Sequence, residues 1–226
     1  MNRRLNMLYH LLPQSSRGII DVGTDHAWIP IQLARKGYSG SIFASDIAEE
    51  PLNKGKMAAS KHGVGNNIRF ICCDGLSLCP PQEIDTILIA GMGGDTICGI
   101  LDRTEWLFSG EYRLILQPMS RADILRYWIV HNEFVIDCEA VVKENEHIYQ
   151  IICACPGKSE RYSDSEYLTG KQDILHVGDE QQILLLSEWN RMKKILNGLS
   201  EAGKTDSSEF LFFNRIRMEI EESLTA

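Results

Sequence analysis

The sequence predicts an α/β protein: a doubly wound sheet of seven strands, five parallel and the last two a reversed hairpin, followed by a small carboxy-terminal helical hairpin. Three observations carry that prediction. From about residue 18 to 157, short continuous apolar runs alternate with helix-like patterns, as expected for parallel strands buried on both faces and their crossover helices. The last two runs are separated only by Lys143-Glu144-Asn145-Glu146-His147, far short of the dozen or more residues that a parallel crossover needs. Beyond residue 178 the apolar spacing becomes helical.

Residues 1–16 are expected to form an amino-terminal helix. The first strand is 18–22, followed by a helix that reaches Lys36 and stops at Gly37. The second strand is 41–46, with a helix from about Leu52 to His62 behind it. Runs at 68–73 and 86–90 supply strands three and four, and a helix from about Thr96 to Trp106 leads to a fifth at 114–116. A helix over 122–131 precedes the antiparallel pair, 134–142 and 149–153. These elements make up a main domain, residues 1–157. The remainder, 158–226, opens with a polar connector containing Gly170 and Gly178. Leu185, Trp189, Met192, Leu196 and Leu199 then step by 4, 3, 4 and 3, which is coiled-coil spacing. Asp206 with Glu209 resembles a capping box that opens a second helix, on which Phe210, Phe213, Ile216 and Ile220 share a face.

Composition narrows the class. Apolar residues are 44% and charged residues 24% of the chain, ordinary for a globular protein. A net charge of -8 gives no general attraction to nucleic acid or to an anionic membrane, so RNA contact requires a local basic patch. Seven scattered cysteines do not form a disulfide framework, and Cys153-Ala154-Cys155 lacks the two-residue gap of metal or redox pairs. Reduced, mostly buried thiols and no metal are expected. No stretch of about 18 apolar residues is present, and Asn6 and His10 interrupt any leader-like run. The expectation is a cytoplasmic protein away from membranes, monomeric or weakly dimeric.

Chemistry concentrates at the strand ends. In Asp21-Val22-Gly23-Thr24-Asp25-His26 a strand runs into a small-residue turn, and Gly23 lets a ligand approach the backbone. Thr24-Asp25-His26 replaces the later glycines of a dinucleotide-binding turn, and Asp25 would face a pyrophosphate with like charge. A sulfonium cation with an amino-acid tail, S-adenosylmethionine (SAM), suits such a turn better, with Asp21 ordering the loop or receiving the ammonium group. Asp46, with Ile47 after it, ends strand two 25 residues after Asp21, where an acid binds ribose hydroxyls. Asp74-Gly75 ends strand three, where an adenine amino group would be received. Ala90-Gly91-Met92-Gly93-Gly94 ends strand four. It offers space, free amides and a methionine for packing, with neither a polar anchor nor an aromatic ring, so it asks for positioning more than for base catalysis. Gln117-Pro118-Met119 ends strand five, where Gln117 can meet a base edge or the neighbouring loop.

Five parallel strands with a reversed hairpin form the strand pattern of Rossmann-like SAM methyltransferases. The blocks 21–30, 44–46, 74–76, 89–94 and 116–118 together resemble the bacterial tRNA (adenine(22)-N1)-methyltransferase family, TrmK, over nearly the whole chain. Two departures are Trp28, where the family usually has Tyr, and Met119, where Asn commonly follows Gln-Pro. The resemblance implies SAM as cofactor and tRNA as partner, with transfer to N1 of the adenine at position 22. N1 has its own lone pair, so no proton need leave first. Asp25 is expected to stabilise the cationic product base or take a proton from its amine, His26 to act as a base or cap the next helix, and Gln117 to complete the catalytic set. Arg3, Arg4, Arg121 and Arg126 are expected on RNA phosphates. Arg191, Lys193, Lys194, Arg215 and Arg217 form further basic spots in a tail with 9 basic and 13 acidic residues. Two alternatives share the acidic rim: an NAD(P)-binding oxidoreductase and a non-catalytic SAM- or nucleotide-binding module.

Overall fold

A computed structural model of the chain describes residues 2–24 and 26–225. The apolar runs form five parallel strands: β1 (Gly18–Val22), β2 (Ser41–Asp46), β3 (Arg69–Cys72), β4 (Thr86–Gly93) and β5 (Arg113–Ser120). They are ordered β3-β2-β1-β4-β5. Helices α1 (Arg3–Leu11), α2 (Trp28–Arg35) and α3 (Glu49–Lys61) cover one face, where Leu8, Ile31 and Ala59 pack with Ile19, Leu88 and Ile115. Helices α4 (Gly94–Asp102) and α5 (Ala122–His131) cover the other, with Ile97, Leu101, Leu125 and Ile129 against Ile87, Ile89, Leu114 and Leu116. Leu114, Ile115 and Leu116 therefore face alternate cores yet are all 0% exposed. Each contributes about 1.5–3 kcal/mol through burial.

The reversed hairpin forms as read, from β6 (Phe134–Glu144) and β7 (His147–Pro156), with β7 antiparallel between β5 and β6. Its turn places Asn145 at φ +55°, a conformation that asparagine tolerates better than most residues. The connector departs from expectation. It holds α6 (Asp164–Thr169), closed by a Ser163–Glu166 capping box, and β8 (Leu175–Val177), which pairs parallel with β6 and makes the sheet eight-stranded. A three-residue strand is too short for periodicity to reveal.

The expected helix over 96–106 ends earlier, at Asp102, with a 3₁₀ turn at Glu105–Ser109. Helices α7 (Gln181–Glu201) and α8 (Ser208–Thr225) form the helical hairpin around Leu185, Met192, Ile216 and Ile220. The cap of α8 is Ser207, whose hydroxyl accepts from the Phe210 amide at 3.1 Å. This corrects the expected Asp206–Glu209 pair by one position. Among the described residues, no helix is long and apolar enough to cross a membrane. None of the seven cysteines is in a disulfide, and five are buried.

Candidate functional site

Strand order reverses between β1 and β4, and open α/β sheets bind ligands beyond the carboxyl ends of strands at such a point. At the end of β1 the amides of Gly23 and Thr24 both donate to the Ser45 carbonyl, at 2.8 and 3.0 Å, pinning the turn to β2. Gly23 has φ +72°, and a Cβ built on it would lie 2.1 Å from Met92 Cε. Met92 thus lies directly over the turn, in space that any side chain at Gly23 would contest.

Asp21 is 9% exposed and accepts a hydrogen bond from the Thr24 hydroxyl at 2.6 Å. Burial pushes its carboxyl up to about 7, against the lowering effect of that hydroxyl and with a further push from Asp46. Asp46 accepts from the Ala48 amide at 2.9 Å. Asp74 pairs with Arg103 at 3.3 Å. Gly75 has φ +56° and its missing Cβ would meet Ile100 at 2.9 Å, so that loop must also be a glycine.

Two cavities meet at Gly23. One, of about 200 Å³, is lined by Asp46, Ile47, Cys73, Asp74, Gly75, Met92, Thr96, Ile100 and Arg103. The other, of about 430 Å³, is lined by Arg4, Asp21, Thr24, His26, Trp28, Ala90 and Gly91. Together they fall in the range of small-molecule sites, roughly 300–1,000 Å³. Every residue expected at the cofactor lines one or the other. His26 and Ala27 adopt left-handed backbone at φ +59° and +50°, which costs about 1–3 kcal/mol each for residues other than glycine. His26 stands on the wall of the larger cavity. Asp25 lies outside the described residues.

Several expectations are corrected. Arg126 cannot reach an RNA phosphate: it is 1% exposed. Its guanidinium donates to Glu139 at 2.7 Å, to Gln150 at 2.8 Å, and to the carbonyls of Tyr167 and Leu168. It therefore ties α6 to the sheet. Gln117, expected in the catalytic set, is 0% exposed with both ends of its amide in use. Its Nε2 donates to the Pro118 carbonyl and its Oε1 accepts from Arg4. It holds Arg4 instead of facing the cavity. Arg4 turns inward from α1, whereas Arg3 and Arg121 are exposed and pair with Glu180 and Asp123. Sequence reasoning missed Trp28, Cys73, Ile100 and Arg103 as lining residues. Only Trp28, within the motif block, carried a signal.

The chain is similar to known methyltransferases in sequence and fold. A family model described as a methyltransferase domain matches residues 1–152. A tRNA (adenine(22)-N(1))-methyltransferase of Bacillus subtilis is 26% identical over 214 residues, covering 92% of this chain and 90% of its own. The structure of M. capricolum TrmK with S-adenosyl-homocysteine superposes with a TM-score of 0.81 at 26% identity, covering 100% of this chain and 98% of that one. A Streptococcus pneumoniae protein in complex with S-adenosyl-L-methionine gives 0.79 at 28% identity, covering 99% of each chain.

Proposed function

The chain belongs to the methyltransferase domain family, and from that premise we propose that it transfers a methyl group from SAM to N1 of an adenine in tRNA, the adenine at position 22. The observation that carries this reading is the pair of cavities joined at Gly23. One is shaped for a nucleoside, and the other has room for an amino-acid tail and an incoming base.

The residues present fit the cofactor. Asp21 is a buried carboxyl whose charged form burial disfavours, and an ammonium group there would restore that form. Gly23 and Gly75 line the smaller cavity, and a Cβ on either would press on Met92 or Ile100 in its wall. In this reading Asp46 receives the ribose hydroxyls, Asp74 the adenine amino group, and Ile47 and Met92 pack on the ring. The oxidoreductase alternative fares worse, because a pyrophosphate in the larger cavity would face the Asp21 carboxylate.

When bound, SAM supplies an electrophilic methyl group on a sulfonium. The chain's own work is then positioning. Ala90 and Gly91 line the larger cavity and Met92 the smaller, and orienting N1 beside them contributes on the order of several kcal/mol. Asp25 provides the carboxylate for the cationic product base, and His26 on the cavity wall assists it. The target adenine leaves its place in the tRNA at a cost of a few kcal/mol. Arg3 and Arg121 contact phosphates. A separate groove of about 330 Å³ runs from Met119 and Arg121 after β5 to Arg191 on α7, and in this reading the tRNA follows it along the appendage 158–226. Purified protein, labelled SAM and unmodified tRNA test the proposal. Label recovered as 1-methyladenosine is the expected result. SAM binding without label in any nucleoside would overturn the enzymatic reading.

A further inference from the structure

We propose that a pocket at the seam between the main domain and the appendage receives a second, unstacked base of the tRNA, not the one that is methylated; the proposal rests on the tRNA reading above. The cavity, of about 360 Å³, is walled by four aromatic rings: Tyr127 of α5, Tyr167 of α6, and Phe212 and Phe213 of α8. Two of these rings are open to solvent, Tyr127 at 55% and Phe212 at 42% exposure. Both are nevertheless held in place. Tyr127 stacks on His131 with ring centroids 3.9 Å apart, and Tyr167 stands 5.5 Å from it. Phe212 meets Phe213 edge-on at 5.4 Å, and the Arg215 guanidinium lies 5.6 Å from its centroid. Fixed aromatic faces left exposed beside a cavity mark an interaction site.

The polar lining says what covers them. Asp123 and Asp164 border the same cavity, each in ion-pair reach of an arginine, Arg121 and Arg215. Aromatic faces, carboxylates and arginines match the three parts of a nucleotide: a flat base, the N–H donors on its edge, and a phosphate. An apolar peptide side chain would cover the rings but give the two acids no donor. Position points the same way. Asp123, Leu168 and Arg191 line both this pocket and the groove that starts at Met119 and Arg121 after β5, so the pocket continues the path assigned to the tRNA. Extruding the target adenine also takes a stacking neighbour from the bases beside it. An aromatic face replaces that neighbour whatever the sequence, and so offsets part of the cost of extrusion.

Titration of the full chain with an unmodified tRNA transcript at several salt concentrations tests this. The proteins are wild type, Tyr127→Ala, Tyr127→Phe, Phe212→Ala and Arg191→Gln. Loss of a stacking face predicts that each alanine variant binds the tRNA about 5- to 150-fold more weakly, while Tyr127→Phe, which keeps the ring, binds like the wild type. The slope of affinity against salt should be unchanged in these three, because no phosphate contact is lost, whereas Arg191→Gln should reduce it by about one. SAM affinity and melting temperature should stay close to wild type in both alanine variants, since the two rings are exposed. Ultraviolet crosslinking of the wild-type complex should join Tyr127 or Phe212 to a nucleotide other than the adenine at position 22. Wild-type tRNA affinity in both alanine variants would overturn the proposal, as would equal weakening in Tyr127→Phe and Tyr127→Ala. A change of oligomeric state in Phe212→Ala with tRNA affinity unaltered would give the pocket to a second copy of the chain and also overturn it. A wild type that binds SAM but no tRNA would instead overturn the functional reading beneath it.

Discussion

Asp21→Asn separates the cost of the buried acid from its use. The Asp21 carboxyl moves from its ordinary 3.8 to about 7 on folding, chiefly because it is buried. The folded state therefore binds the proton more tightly than the unfolded state, and stability falls as pH rises between those values. Integrated over that window, the cost is under about 1 kcal/mol at pH 4, roughly 2 at pH 5 and about 4 above pH 8. Asn keeps an acceptor for the Thr24 hydroxyl, now at 2.6 Å, and removes the charge. Its new amide must find partners in the cavity, at about 1–3 kcal/mol. A net gain of about 1–3 kcal/mol at pH 8.5 remains, or roughly 3–10 °C in melting temperature for a chain of this size. The gain should shrink toward pH 5 and vanish or reverse at pH 4. The added stability that SAM confers on the wild type should be lost. Thermal melts of both proteins from pH 4 to 8.5, with and without SAM, provide the assay. A variant that melts below the wild type at pH 8.5, or by an increment independent of pH, would refute the reasoning.

Asp46→Ala should weaken SAM binding by two orders of magnitude or more while leaving the melting temperature of the free protein within a few degrees. Unchanged affinity in calorimetry would mean that the ribose lies elsewhere. Wild-type affinity for SAM should rise as pH goes from 5.5 to 7.5, because Asp21 must lose its proton near 7 to receive an ammonium group; a flat profile would detach Asp21 from the tail. Arg126→Met leaves Glu139 buried and uncompensated, which costs about 3–5 kcal/mol. The melt should fall by about 6 °C or more, with partial recovery in the Arg126→Met, Glu139→Gln double variant. Gly23→Ala forces a side chain into left-handed backbone 2.1 Å from Met92 Cε. It should lower stability by about 1–3 kcal/mol and abolish SAM binding in the same titration.

The parallel strands were legible because each carries a continuous apolar run bounded by turn residues, and β1 and β2 fall where the runs do. The reversed hairpin was legible from a loop too short for a crossover. β8 was not, since three residues in a polar connector carry no period, and its place depends on the open edge of β6. The acidic rim could be read because each acid sits at a strand end, where chain order alone decides the side of the sheet. Side-chain direction could not be read in this way. Arg4 and Arg126 look like surface cations in the sequence, yet one is turned toward Gln117 and the other enclosed with Glu139. Partners 113 and 13 residues away decided each orientation. Gln117 follows the same logic: its position at the end of β5 was clear, and its engagement by α1 was not.

The central claim is methyl transfer to one adenine at N1, and it is tested most directly with two tRNA transcripts that differ only at position 22. Each is incubated with the protein and SAM, digested, and analysed for methylated nucleosides by mass spectrometry. The account predicts stoichiometric 1-methyladenosine from the transcript with adenine at 22 and none from the transcript with guanine there. Equal methylation of both transcripts, or a methyl group on any other atom, would contradict it.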